Sequence, residues 1–236
     1  MEDCYLKEFD TIVKRADGKF VVLEDTIFYP NSGGQPHDEG TITTENGEEY
    51  KVVYVKKLPD PSDADQYAIS HEVDRVGLKT GNKVHLKLNW ERRYRLMRMH
   101  TAAHVLSRVI YEETGAHTSG NQLGLDKSRI DFTLEDFDKE KISDWIEKAN
   151  EIIAKGARVI KSEMPREEAL KIPGFAGPSP HLMKELGMLR VVNIEGLDAQ
   201  PCGGTHLDDI KEIGKIIFVK AENKGKHNRR IYYTLE

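Results

Sequence analysis

Two short motifs carry residue types that could act on the same point in space: His100-Thr-Ala-Ala-His104 and Cys202-Gly-Gly-Thr-His206. Two imidazoles from the first, with a thiol and an imidazole from the second, make a tetrahedral donor set of the kind that holds zinc. Each pair alone is a weak signal, because a His pair at i, i+4 also arises by coincidence on a helix face. Together they engage one of only two cysteines in the chain. Thr101 follows the first histidine, at the position where a zincin protease carries its glutamate general base. Peptide hydrolysis by that route therefore lacks its base. Cys202 and His206 also admit a nucleophilic-cysteine reading, whereas no Ser-His-Asp arrangement is visible.

A helix and a loop must position these groups. The run 90–113 contains neither Pro nor Gly, and Leu96, Met99, Ala103, Leu106 and Ile110 recur at spacings of three and four. That is the pattern of an amphipathic helix, on which His100 and His104 lie one turn apart on one side. The second motif follows Pro201 and contains Gly203 and Gly204, so it reads as a loop.

Ahead of the helix the signals are those of strands. Residues 5–14 and 19–25 flank Asp17-Gly18, residues 41–44 and 49–56 flank Asn46-Gly47, and 67–73 and 83–88 add two more, the last after Gly81-Asn82. Short strands joined by tight turns predict a small antiparallel barrel. The loop 29–40 interrupts it with Pro30, Gly33, Gly34 and Pro36. It is either a wide turn between strands or a place where Gly33 and Gly34 let the backbone approach a ligand, with Gln35 offering an amide that donates and accepts.

Beyond the helix the reading is a strand near 116–119, a strand over 129–134, and a helix over 135–155 with Ile142, Trp145, Ile146, Ala149, Ile152 and Ile153 on one face. That pattern makes Trp145 a core residue. A strand over 158–164, a short helix opening on Pro165, an irregular connection over 172–180, a strand over 189–194 and a final hairpin of 215–221 with 229–235 complete the chain. The fold class is α+β, with domains 1–89 and 90–236.

The chain has 236 residues, 32% charged and 38% hydrophobic, as in ordinary globular proteins. No apolar run approaches the roughly 20 residues that span a bilayer, and the N-terminus lacks the layout of a signal peptide. A cytoplasmic protein with no membrane association is expected. Cys4 and Cys202 could pair, but without an export signal they read as free or metal-bound. The net charge of -5 does not advertise a nucleic-acid partner. Local clusters at Arg92, Arg93, Arg95 and Arg98, and at Lys224, Lys226, His227, Arg229 and Arg230, are either solvated faces or phosphate contacts.

The segment Asp25-Thr-Ile-Phe-Tyr-Pro-Asn-Ser-Gly-Gly-Gln35, followed in order by the two His and Cys motifs, resembles the editing domain of alanyl-tRNA synthetase and its freestanding relatives, the AlaX family. The three motifs extend over most of the chain. The resemblance implies a barrel similar to that of translation factors, then the α+β editing domain shared by threonyl- and alanyl-tRNA synthetases. It implies Zn2+ at His100, His104, Cys202 and His206, and hydrolysis of the ester joining serine to the terminal adenosine of tRNA(Ala), with alanine spared and glycine esters a second candidate. Thr118, in His117-Thr-Ser-Gly-Asn-Gln122, matches the family's hydroxyl-reading threonine, while Gln35 and Thr26 are the barrel-side site residues. Nothing resembles the ATP-binding motifs of an aminoacylation domain, so a freestanding editor of the medium-size type, without a nucleotide cofactor, is expected.

The sequence departs from the family at Ser32, where the first glycine of the loop is replaced, and at Ile210, where relatives often carry a threonine. Two other functions fit the same donor set: a non-catalytic zinc-stabilised tRNA-binding module, and a zinc hydrolase of small esters.

Overall fold

Alternation of buried and exposed residues, as in Lys83–Leu88, is what closes a sheet on itself, since one face must leave water while the other stays in it. The computed structural model describes residues 3–60, 63–134, 139–172 and 187–236. In it β1 (Glu8–Asp17), β2 (Phe20–Leu23), β3 (Gly40–Thr44), β4 (Glu49–Asp60), β5 (Asp63–Val73) and β6 (Lys83–Leu88) form a closed antiparallel barrel in the order β1-β2-β5-β4-β3-β6. Val13, Val21, Phe28, Ile42, Val55 and Leu86 are among the residues that fill its core. The chain divides into two compact units, Met1–Arg95 and Leu96–Glu236. Helix α1 (Trp90–Thr114) thus begins in the first unit, a few residues ahead of that division.

The loop before β3 owes its glycines to a turn. Ser32 and Gln35 exchange backbone hydrogen bonds of 3.1 and 2.9 Å, and Gly33 and Gly34 between them have φ of 58° and 82°. Positive φ at both central positions is the requirement of a type I′ turn, which side chains with a Cβ resist. The turn leaves Gln35 wholly buried.

Two buried polar groups hold the barrel unit. Arg93, in the first turns of α1, is fully buried and paired with Asp38. Its Nε donates to both Asp38 oxygens at 3.0 Å, Nη1 to Cys4 O at 2.9 Å and Nη2 to Ile27 O at 2.6 Å, while Asp38 also accepts Tyr29 N–H at 2.6 Å. A guanidinium so engaged is no phosphate contact, which corrects the reading of Arg93 as one. His71 is also fully buried. Its Nδ1 lies 3.2 Å from Val21 O, an acceptor only, so Nδ1 carries the proton and Nε2 accepts from Thr26 Oγ1 at 2.8 Å. Burial pushes the ring down to about 4, against the Val21 carbonyl, which favours the charged form.

The second unit carries two sheets. One has the order β12-β13-β8-β7, from β7 (Thr118–Gln122), β8 (Ser128–Phe132), β12 (Ile216–Asn223) and β13 (Arg229–Leu235). Its inner face meets α1, where Tyr233 donates to Met99 O at 2.7 Å. Helix α2 (Lys139–Lys155) is tied to β12 by Asn150, which donates to Ile216 O and accepts Ile216 N–H at 2.9 and 2.8 Å. Trp145 on α2 is buried, as its face predicts. The other sheet has the order β11-β10-β9, from β9 (Val159–Pro165), β10 (Met188–Ile194) and β11 (Asp198–Pro201).

Ala169 of the short α3 (Arg166–Ala169) packs on Leu189 and Val191 of β10. Pro165 ends β9 and precedes α3 as its N-cap, rather than starting the helix. β11 has no counterpart in the sequence reading, because a strand of four residues with Gly196 before it and Pro201 at its end carries no periodic signal. The predicted helix start at 135–138 and the part of the irregular connection over 173–180 lie outside the described residues.

Arg93→Leu strands the Asp38 charge in the interior, and a loss of about 3–5 kcal/mol is expected in urea unfolding, partly recovered by adding Asp38→Asn. His71 binds its proton more weakly folded than unfolded. Its contribution is therefore whole above pH 6.5 and is lost as the pH falls toward 4. Unfolding at stepped pH should show about 3 kcal/mol lost from this group across that window, and His71→Gln should flatten the slope.

Candidate metal centre

Helix α1 delivers the first two donors. His100 and His104 are both buried, one turn apart, with ring centroids separated by 5.4 Å. The other two come from the chain that leaves β11. Cys202 N–H donates to Arg190 O at 3.0 Å, continuing the pairing of β11 with β10, and Arg190 Nη1 donates back to Cys202 O and Gly204 O at 2.6 and 2.9 Å. This double clamp fixes a loop that Gly203 and Gly204 would otherwise leave loose.

The four side chains meet as the motif spacing predicts. One donor atom from each of His100, His104, Cys202 and His206 falls within 4.8 Å of all the others. Cys202 Sγ is 3.4 Å from His100 Nε2 and 3.2 Å from His206 Nε2. The His206 ring lies 4.2 Å from that of His100 and 4.7 Å from that of His104, centroid to centroid. Three imidazoles and one thiol in a buried space can hold a metal ion. The separations suit a tetrahedron with nitrogen about 2.0 Å and sulfur about 2.3 Å from its centre.

Electrostatics favour the ligating form of the thiol. Burial alone would push Cys202 up, but the adjacent His100 and His206 hold it well below its ordinary value, and Gly204 N–H points at Sγ from 3.4 Å. Burial with the neighbouring His100 holds His206 well below the usual imidazole range. His104 goes the other way. Burial disfavours its charge, yet Asp198 and the Cys202 thiolate outweigh burial and carry it up to about 10.

Thr101, where the zincin glutamate would stand, faces the cluster from behind. Its Oγ1 lies 3.2 Å from His206 Nδ1 and accepts Leu207 N–H at 3.2 Å. With His206 Nε2 turned to Cys202, the ring proton belongs on Nδ1 and is given to Thr101. Sequence reading passed over this role and that of Arg190. The signal available was only their nearness to the motifs.

Thr118 sits at the far end of the same helical stripe. Its hydroxyl donates at 3.1 Å to Ser107, which follows His100 and His104 on one side of α1 at i+7 and i+3. The register slips at Ser119, with Thr118 opposite Phe132 and Asn121 opposite Ile130. The bulge therefore turns both Thr118 and Asn121 to the inner face, and Asn121 Oδ1 is buried there without a partner among the described residues. On the barrel side, Thr26 gives its proton to His71 and accepts Phe28 N–H at 3.1 Å, which leaves one lone pair, and Gln35 lies beneath the type I′ turn.

The basic clusters mostly serve the fold. Arg92 Nε donates to His37 O at 3.1 Å, and Arg98 donates to Ile213 O and Glu236 O at 2.7 and 3.0 Å. Arg230 makes a two-pronged pair with Asp131 at 2.7 and 2.8 Å, and buried Arg229 donates to Asn223, Gly225 O and Asn228 O within the last hairpin. Ile210, where relatives often carry a threonine, is buried at the start of a 3-10 turn, Ile210–Ile213.

Comparison with known proteins places this geometry. Residues 189–232 match the family model described as the threonyl and alanyl tRNA synthetase second additional domain, and residues 4–92 match that of class II (A) tRNA synthetases. The alanyl-tRNA editing protein AlaX-M of Methanosarcina barkeri is 46% identical over 240 residues, 99% of this chain and 96% of that protein. AlaX-M of Saccharolobus solfataricus is 38% identical over 237 residues, 100% and 97% of the two chains. The alanine–tRNA ligase of Pyrococcus furiosus is 38% identical over 241 residues, 99% of this chain but 25% of the ligase. The α+β architecture with its closed barrel and editing domain is thus that of the family the motifs resemble.

Thr101→Val keeps the shape but leaves Leu207 N–H and the His206 ring proton without an acceptor in a buried place. Urea unfolding of chelator-treated protein should show a loss of about 1–3 kcal/mol, independent of any metal.

Proposed function

The chain belongs to the AlaX-M family of alanyl-tRNA editing proteins, and on that premise we propose that it is a trans-editing hydrolase. It removes serine from mischarged Ser-tRNA(Ala) and spares Ala-tRNA(Ala). The observation that carries the reading is the convergence of His100, His104, Cys202 and His206 on one point, in a chain alike to the editing proteins over its full length, with Thr118 bonded to Ser107 on the helix that carries His100 and His104.

Such an activity answers a limit of molecular recognition. A pocket built for alanine rejects an isostere with one added hydroxyl only about a hundredfold, whereas a site that hydrogen-bonds the hydroxyl refuses the analogue lacking it by about ten thousandfold or more. Thr118 supplies the hydrogen bond. Its own proton is directed to Ser107, so its oxygen is left to accept the proton of the serine side chain. Alanine brings no proton there.

The donor set suits zinc, with a half-buried thiolate and three buried imidazoles. Bound there, Zn2+ would fix the pocket wall, and it would act as a Lewis acid only where one protein donor gave up its place. Four protein donors fill a tetrahedron, which is the signature of a metal that positions more than it activates. The chain's own part is to hold the acyl group between α1 and the inner face of β7, and to offer polar atoms there. Gln35 and Thr26 belong to the reading as barrel-side residues, through the amide of the one and the remaining lone pair of the other. The partner is the acceptor end of tRNA(Ala), and the setting is the cytoplasm.

The test is deacylation of Ser-tRNA(Ala), Gly-tRNA(Ala) and Ala-tRNA(Ala) by zinc-loaded protein. Serine should be released and alanine kept, Cys202→Ala should abolish release, and Thr118→Val should lower it about 10- to 100-fold for serine alone, since glycine has no hydroxyl to read. Binding of tRNA without release of serine above the buffer rate would leave a binding module. Release from small esters without preference for the tRNA would leave a simple esterase.

A further inference from the structure

Each imidazole that binds a metal through one nitrogen must dispose of the proton on the other. His206 gives its proton to Thr101. His104 has a different neighbour. Its Nδ1 lies 3.7 Å from Asp198 Oδ2, and both atoms are buried without a hydrogen-bond partner among the described residues.

We propose that Asp198 is the positioning residue of the cluster: its carboxylate accepts a hydrogen bond from Nδ1–H of His104, so that Nε2 of that ring is held toward Cys202 and His206. The placement supports it. Asp198 opens β11 directly opposite Ile194 of β10, four residues ahead of Cys202 in the same clamped hairpin. The strand that brings the thiol therefore also brings the carboxylate. Its Oδ1 receives Gln200 Nε2 at 3.3 Å, which turns Oδ2 toward the ring. A buried acceptor facing a buried donor at 3.7 Å is beyond a hydrogen bond by a few tenths of an ångström. Each atom otherwise bears the cost of an unpaired polar group, so closing that gap is downhill.

Charge points the same way. A divalent ion with one thiolate and three neutral imidazoles would leave a single positive charge among mostly buried groups. A carboxylate on the outer side of one ligand cancels it, and a buried charge without such a partner is costly. Among the described residues the donors His100, Cys202 and His206 also neighbour His104, and none of them can accept from Nδ1–H while engaged on a metal. No sequence motif marks Asp198, which lies in the turn-rich run between two recognisable segments.

This inference rests on the metal reading of the cluster, and the experiment separates the two. Zinc affinity is measured by competition with a chromophoric chelator for the full chain, for Asp198→Ala and for Asp198→Asn, with the His104 tautomer read by nitrogen-15 NMR of the zinc-loaded forms. Asp198→Ala should bind zinc about 10- to 100-fold more weakly. Asp198→Asn should fall between it and the natural protein, since an amide oxygen accepts the same proton without the charge. The tautomer should be Nδ1–H in the natural protein and lose definition in Asp198→Ala.

Failure of the natural protein to bind zinc would overturn the metal reading itself. Equal affinity in all three proteins would overturn the role of Asp198 alone. A loss that is the same in both variants, with the His104 tautomer unchanged, would also overturn it, by showing that the carboxylate only shapes the hairpin. Should Asp198→Ala fail to fold, affinity and tautomer in Asp198→Asn decide alone, and values equal to the natural protein's would overturn the proposal.

Discussion

Four donor atoms drawn within 4.8 Å of one another, three on buried rings and one on a half-buried thiol, set the terms for the rest of the second unit. Each donor has given up its hydration, and a thiolate among imidazoles is tolerable in the interior only if every group has a fixed partner. The surrounding structure is the answer to that demand. Helix α1 fixes two rings by its pitch, and Arg190 holds two carbonyls of the loop that carries the other two donors. Thr101 meets one outward-facing ring nitrogen, and the inner sheet is pinned to the same helix turn through Tyr233 and Met99 O.

The barrel unit obeys the same rule with different groups. Arg93 is among its largest fully buried side chains, and it is tolerable there because Asp38, Cys4 O and Ile27 O take its protons. His71 is neutral for the same reason that Arg93 is charged. The ring has one carbonyl and one hydroxyl within reach and no carboxylate, so burial decides its state. Asp38 in turn accepts Tyr29 N–H and so helps fix the chain that leads into the type I′ turn of Gly33 and Gly34.

What the sequence made legible follows from which forces leave a local signature. The helix over 90–113 and the strands around Gly18, Gly47 and Gly81 were readable because period and turn chemistry are properties of neighbours in sequence, and α1 ends within a residue of that reading. The four donors were readable because metal ligation demands particular residue types at particular spacings. Arg93 was misread as a phosphate contact because its partner, Asp38, lies 55 residues away, and a charge run looks the same whether it is solvated or buried. β11 and the bulge at Ser119 left no trace for a related reason. Both are set by backbone register against the adjoining strand of a hairpin, Ile194 opposite Asp198 and Phe132 opposite Thr118, which no residue type or period announces.

That bulge shows how much the facing of side chains can depend on one unpaired residue. In a regular β7, Thr118 and Asn121 would point to opposite faces, because side chains alternate along a strand. The slip of one residue at Ser119 places both on the buried side, opposite Phe132 and Ile130. Neither position is favourable for a polar side chain in an otherwise apolar wall. Thr118 is relieved by Ser107, while Asn121 Oδ1 lacks a donor among the described residues. A buried acceptor left so costs about 1–3 kcal/mol, and a ligand bearing an O–H or N–H recovers it where a methyl group does not. On the proposed function, that unpaired acceptor adds to the preference of the site for a hydroxyl-bearing acyl group over its methyl analogue.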